Sequence, residues 1–262
     1  MEIFVCVKRV PDVSDVDVAI AAGGRSIVAD DLSFGMNEWD NFAVEEAIRL
    51  REQHGGSVTA ISIGTEDSEE ELRRALAMGA DHAVLVSDPA FSDLDAHAAA
   101  RILHAVLASK PFDLVLTGAV ASDTGAGQVG GMLAAMLDVP QVSLATGISI
   151  EGKSVTVQHE VEGGLERVVE VSLPAVVSVQ TGLNEPRYVS IRGIRKVSGA
   201  VIPTMDAAQL GLSPTIAGPD TTRVKVLDMA VPPSGKSAEI LEGSTEEVVD
   251  TLINRLQEQG GL

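Results

Sequence analysis

The chain has 262 residues, 45% of them hydrophobic and 3% aromatic, and carries a formal net charge of −19. That apolar content fills one large domain, or one with an appendage, and no run approaches the roughly 20 apolar residues of a membrane helix. The acidity and the scarcity of aromatics argue against a basic nucleic-acid surface or a base-stacking platform, and the single cysteine, Cys6, excludes disulfide frameworks and cysteine zinc sites.

Residues 3–7 read as a buried strand, with neither the basic region nor the cleavage site of a secretory leader, so a cytoplasmic location is expected. Between Asp12 and Phe34, the apolar runs 16–20 and 26–29 flank Gly23-Gly24 and predict an inserted hairpin. Residues 40–53 predict a helix with Ala43, Ala47 and Leu50 on one face and Asn37 as its N-cap. A second buried strand covers 58–63. Ser68 and Glu71 have capping-box spacing ahead of a helix that stacks Leu72, Ala75 and Leu76. Then come a short strand at 83–86, an alanine-rich helix at 94–108, a strand at 113–117, a helix at 126–137 and a strand at 142–145. Strands alternating with helices predict an α/β fold: a doubly wound, mostly parallel, Rossmann-like sheet.

Beyond residue 146 the pattern changes. Runs 154–161 and 165–171 flank Glu162-Gly163-Gly164, a hairpin signal, and 175–179 is one more apolar strand. After Asn184 prolines recur at 186, 203, 214, 219, 232 and 233, and residues 186–234 read as an arm lying on another surface. A last helix starts at Ser244, boxed by Glu247, carries Val248, Val249, Leu252, Ile253 and Leu256, and stops at Gly260-Gly261. Its apolar stripe needs a surface, the chain's own or a partner's.

The segment from Gly118 to Gly131 follows a buried strand and enters a helix. Its glycines let backbone approach a phosphate, and the helix start supplies free N–H groups. Gly125, Gly127 and Gly130 spell G-x-G-x-x-G, but after a late strand and without the ribose-binding acid that a nicotinamide fold requires. Three further segments fall at carboxyl ends of strands or a helix start: Val7-Lys8-Arg9, Asn37 to Asp40, and Gly64-Thr65. The only tryptophan, Trp39, suits either a flat ring or a core. Catalytic constellations are absent: no cysteine pair, no H-E-x-x-H, no nucleophile elbow, and five histidines without metal-ligand spacing. A nucleotide site without chemistry points to a binding or carrier subunit rather than an enzyme, with no metal.

Several segments together resemble the beta subunits of electron-transfer flavoproteins. They are Val5-Cys-Val-Lys8-Arg9-Val-Pro11-Asp12, Asn37-Glu-Trp-Asp40 with the helix after it, Ala75-Leu-Ala-Met-Gly-Ala-Asp81, the loop and helix from Gly118 to Gln141, Glu162-Gly-Gly-Leu-Glu166, and, most specifically, Leu183-Asn-Glu-Pro-Arg-Tyr188. The resemblance runs the length of the chain. It implies a heterodimer in which an alpha subunit mainly holds the redox-active FAD. This chain would bind AMP, or a second FAD in the electron-bifurcating type. The nucleotide would be held by Cys6, Val7 and Lys8, by Asn37, Trp39 and Asp40, by Ile63 and Gly64, and by Asp123, Thr124, Gly125, Ala126, Gly127, Gln128, Val129 and Gly130. Trp39 stands where the family often has an aromatic that approaches the flavin.

The resemblance also implies that the segment after Asn184 docks acyl-CoA or related flavoprotein dehydrogenases, through Tyr188, Ile191, Arg192, Arg195 and Lys196, with a quinone oxidoreductase as a possible acceptor downstream. Residues 186–205 agree, since Arg187, Arg192, Arg195 and Lys196 are their only charges in a chain of −19. On this reading residues 1–183 form the nucleotide-binding domain, and 184–262 a recognition loop, arm and terminal helix packing on the partner subunit. Departures concern the docking partner, since the lysines common after the recognition anchor are thinned to Arg195-Lys196 and an unusual dehydrogenase is implied, and the nucleotide. Glu38 stands where the family usually has proline. Gln128-Val129-Gly130 and Val10-Pro11-Asp12 lean to the second-flavin type, whereas Asp123-Thr124-Gly125-Ala126-Gly127 does not reproduce that type's usual loop, and AMP is the expectation. The rival readings are a stand-alone adenylate-binding sensor and a nicotinamide oxidoreductase.

Overall fold

The computed structural model describes residues 1–14, 16–213, 222–232 and 238–260. Pro214, Pro219, Pro233, Ser234 and Gly261, named above, lie outside them. The elements, in chain order, are β1 (Glu2–Cys6), β2 (Arg9–Pro11), β3 (Phe34–Met36), α1 (Glu38–His54), β4 (Ser57–Ile63), α2 (Glu69–Met78), β5 (His82–Val86), α3 (Ala96–Leu107), β6 (Leu114–Gly118), α4 (Val129–Leu137), β7 (Gln141–Glu151), β8 (Ser154–Val161), β9 (Leu165–Ser172), β10 (Ala175–Val179), α5 (Ile191–Val197), β11 (Thr204–Met205) and α6 (Thr245–Glu258).

Nine strands form one sheet in the order β11-β5-β4-β1-β6-β10-β7-β8-β9. From β11 to β7 all neighbours are parallel, and β8 and β9 are added antiparallel. The central parallel strands are mostly apolar, with small polar residues such as Ser62, Thr117 and Ser178 buried among them, because both faces are covered. Along β1, Ile3 and Val5 join the core beneath α1 and α2, while Phe4 joins the core beneath α3 and α4. This is the expected doubly wound α/β fold. No helix among the described residues is long and apolar enough to cross a membrane.

Local expectations were met unevenly. The inserted hairpin turns at Gly23-Gly24 as expected, with Ala21 N donating to Ser26 O at 2.9 Å and Val28 N to Ala19 O at 2.8 Å about a bridge between Ile20 and Ile27; ladder pairing occurs at its root, where β2 and β3 run antiparallel and the Arg9 guanidinium lies over the Phe34 ring. The Ser68 box does not form. Ser68 ends a 3-10 turn with helical dihedrals, and Glu71 is drawn to Arg9 at 3.0 Å instead. The 142–145 strand is the start of the longer β7, which passes a bulge and continues as an arm of the β8 hairpin. Helix α4 begins three residues later than predicted, at Val129.

The arm is less irregular than its prolines suggest. Residues after β10 lay α5 against α2, bury Ile202 and Ala207, and add β11 to the edge of β5. Farther on, the second carboxylate oxygen of Asp95, the N-cap of α3, accepts the amides of Arg223 and Val224, and Met229 N donates to Gly24 O at 2.8 Å. Helix α6 has its capping box, and none of its residues is buried.

Candidate functional site

In the sheet order, the chain leaves β1 for β4 on one side and returns to β6 on the other, so the crevice between the carboxyl ends of β1 and β6 is a topological switch point, where open α/β sheets bind ligands. Three of the predicted segments meet there: Val7-Lys8 leaving β1, Asn37 to Asp40 opening α1, and Gly118 onward leaving β6.

The first turn of α1 stitches the crevice together. Asp40, buried, accepts the backbone N–H of Lys8 at 2.8 Å and that of Gly118 at 3.0 Å. Gly118 must lack a side chain for this, because a Cβ there would overlap the Asp40 carboxylate and stand 2.8 Å from Trp39 Cβ. Asn37, also buried, does not cap α1. Its Nδ2 donates to Val120 O at 2.9 Å and its Oδ1 accepts Ser122 N at 3.2 Å, so its amide shapes the glycine-rich loop instead. Burial pushes the Asp40 carboxyl up to about 7, against the pull of the Lys8, Asn37 and Gly118 hydrogen bonds. Burial, with Asp40 nearby, pushes the Cys6 thiol up to about 12, so Cys6 is not a thiolate nucleophile.

The loop from Ala119 to Gln128 stands over the start of α4. Gly125 and Gly127 have φ of +62° and +59°, a region that L side chains rarely adopt. No side chain caps α4, which leaves its first-turn N–H groups to a ligand or water. Gly130 has a packing role in addition. A Cβ there would overlap Ser178 Oγ and lie 2.8 Å from Thr117 Oγ1, so the glycine lets α4 rest on β6 and β10, as the third glycine of such loops does. Asp123 reaches across the crevice mouth to the Lys8 ammonium at 2.6 Å. With both groups partly exposed this ion pair is worth at most about 1 kcal/mol, so opening it costs little. An open cleft of about 610 Å³, lined by Ala119, Val120, Gly127, Gln128, Ser143 and Ser178, extends from the loop towards β7. Ile63 and Gly64 stand one strand over, at the end of β4, with no polar link to the loop among the described residues.

Trp39 is half-buried, its indole N–H donating to Gln180 Oε1 at 2.8 Å; Gln180 Nε2 in turn donates to Glu160 on β8 at 3.0 Å. Sequence reasoning missed Gln180, Glu160, Thr117 and Ser178. Only the strand order, which sets β10 between β6 and β7, makes them neighbours of the loop.

The predicted docking residues lie elsewhere, on and beside α5. Tyr188 and Ile191 are 87% and 69% exposed. Arg192, Arg195 and Lys196 are exposed and make no ion pair among the described residues. Arg187 differs: its guanidinium is taken up by Glu45 at 2.8 Å and Glu52 at 2.9 Å on α1.

The family model described as the Electron transfer flavoprotein domain matches residues 26–210. The chain is 35% identical over 260 residues to the electron transfer flavoprotein subunit beta of Bacillus subtilis, covering 99% of this chain and 98% of that one. It is 34% identical over 262 residues to the caffeyl-CoA reductase-Etf complex subunit CarD of Acetobacterium woodii, covering 99% of both. To the Bos taurus electron transfer flavoprotein subunit beta it is 35% identical over 252 residues, 95% of each.

Proposed function

This chain belongs to the electron transfer flavoprotein family, and within it to the beta subunits; from that premise we propose that it holds AMP at the β1/β6 crevice and presents α5 to a flavoprotein dehydrogenase. The observation that carries the nucleotide reading is the crevice itself. Asp40 and Asn37 hold both of its walls in place, and the uncapped start of α4 sits under a loop whose glycines keep side chains off the backbone. Such a site offers amides and a helix dipole to phosphate. The Lys8 ammonium supplies charge once Asp123 is displaced. These groups bind and orient; none of them is placed to do chemistry.

The redox centre is the FAD of an alpha subunit, which when bound supplies the electron-accepting chemistry. Trp39, held at the crevice rim, is the aromatic on this chain that would face it. The half-exposed stripe of Val249, Leu252, Ile253 and Leu256 on α6 is the surface this chain offers to alpha. Electrons would come from an acyl-CoA or related dehydrogenase and leave for an acceptor such as a quinone oxidoreductase, in the cytoplasm. A second reading replaces AMP by a second FAD, for which the separate cleft on the β7 side of the loop, lined by Gln128 and Ser143, offers additional space.

The test is to co-purify the chain with its alpha subunit, denature the complex by heat and identify what is released. AMP beside FAD supports the reading. A second equivalent of FAD and no AMP selects the alternative, and no nucleoside phosphate beyond alpha's FAD overturns both. Docking has its own test. Ile191→Ala should slow reduction by the dehydrogenase with flavin content intact, and unchanged rates would reject it.

A further inference from the structure

We propose that Arg73 is a positioning residue for dehydrogenase docking: from α2 its guanidinium closes the carboxyl end of α5 and so holds the exposed face of that helix in place. The inference rests on the reading of α5 as the docking element.

Helix α5 has seven residues, too few to persist alone, and none of them is buried. Its order comes from α2, against which it lies, and from its ends. At the front, Ser190 Oγ accepts Gly193 N at 3.1 Å. At the back, the last carbonyls of any helix lack partners. Here Arg73 Nη1 donates to Val197 O at 3.2 Å, and to Ser198 O and Ala200 O at 3.0 Å each. Its Nη2 is held by Glu69, one turn earlier on α2, at 2.7 Å. The two hydrogens of one nitrogen are therefore shared among three carbonyls more than 120 residues away in sequence, while the other nitrogen is anchored on α2. It lies where a cation also complements the helix dipole. The approach to α5 is fixed from α1, where Arg187 binds Glu45 and Glu52, and Asn184 binds Glu46 and the carbonyl of Phe42.

Between these clamps Tyr188, Ile191 and Arg192 are exposed. The hydrogen bonds from Arg73 to this segment all end on backbone carbonyls, so its removal deletes no side chain of the docking face and acts through its order. A lysine ammonium keeps the charge but not the simultaneous hold of two separate nitrogens on Glu69 and on the carbonyls.

The experiment uses the heterodimer, with trypsin and a substrate-reduced acyl-CoA dehydrogenase as probes. In Arg73→Ala, cleavage after Arg192, Arg195 or Lys196 should accelerate about tenfold, since cutting follows the population of opened helix. The dehydrogenase concentration for half-maximal flavin reduction should rise about tenfold, as loss of charge-assisted hydrogen bonds implies, with the maximal rate within about twofold. Arg73→Lys should fall between wild type and alanine in both. Wild-type protease resistance in Arg73→Ala overturns the clamp. A loosened α5 with unchanged half-saturation, while Ile191→Ala does weaken the interaction, overturns the positioning role alone. If neither variant alters the interaction, docking at α5 has failed and Arg73 is only a structural cap.

Discussion

The β1/β6 crevice and the α5 segment are both held by a handful of polar side chains, in opposite ways. In the crevice the holders are short and buried: Asn37 and Asp40 reach backbone groups of the strands and loop beside them. On α5 the holders are long and partly exposed, Arg73 and Arg187, spanning elements far apart in the chain. What each region offers to a ligand is correspondingly different. The crevice presents main-chain amides in a fixed frame, whereas α5 presents side chains on a frame that its own residues cannot maintain. Perturbing the first should cost stability and ligand together; perturbing the second should cost recognition first.

The largest expected effect is Asp40→Ala, which strips the Lys8 and Gly118 amides of their acceptor. About 3 kcal/mol of stability should be lost, at 1–3 kcal/mol for each unsatisfied buried donor. Urea unfolding measures it, and the released nucleotide should disappear with it. A loss below 1 kcal/mol would place the crevice with the loosely held region.

A pH series sharpens the same contrast. Asp40 ordinarily titrates near 3.8 and is pushed up to about 7 in the fold. Between those values the folded chain binds a proton that the unfolded chain does not. The resulting stabilisation is complete below about pH 4 and lost as pH rises through about 7. Wild type should therefore be less stable at pH 8 than at pH 5 by roughly 2 kcal/mol more than Asp40→Asn. Parallel curves would remove Asp40 as the cause.

Arg187→Ala should cost about 1 to 2 kcal/mol, between the roughly 0–1 of an exposed pair and the roughly 3–5 of a broken buried one, because Glu45 is buried but Arg187 is a third exposed. It should also raise the half-saturating dehydrogenase concentration. A pure stability loss would show that α5 is held without it. The smallest effect is Lys8→Ala. Stability should move by less than about 0.5 kcal/mol, since the partner pair is exposed, yet less nucleotide should survive purification. Equal retention would mean that the ammonium contributes nothing to the ligand.

Much of this was readable in the chain because the central parallel strands are buried on both faces and announce themselves as predominantly apolar, β-branched runs. The glycine-rich loop was readable for a related reason, as glycines crowded between a strand and a helix mark a close approach of backbone. What could not be read was adjacency. Residues 175–179 signal a strand but not that it inserts between β6 and β7, so Ser178 under Gly130 and Gln180 beside Trp39 stayed hidden. Asn37 looked like a cap because its local position fits one, and the loop 83 residues later claimed its amide. Helix α5 looked like loose arm because the cation completing it sits on α2. The family resemblance named its exposed residues without showing what holds them up.

The tail's root, tied at Asp95 and again at Gly24, bears on how the two subunits find one another. On the proposed reading of α6 as the surface given to alpha, a companion that touches the body first would meet the helix as a second contact on the same chain rather than a separate molecule. The helix would then engage at an effective concentration set by the intervening chain, and its contribution would multiply with that of the first contact. Cutting the tether while supplying α6 as a free peptide would keep every contact and forfeit that multiplication.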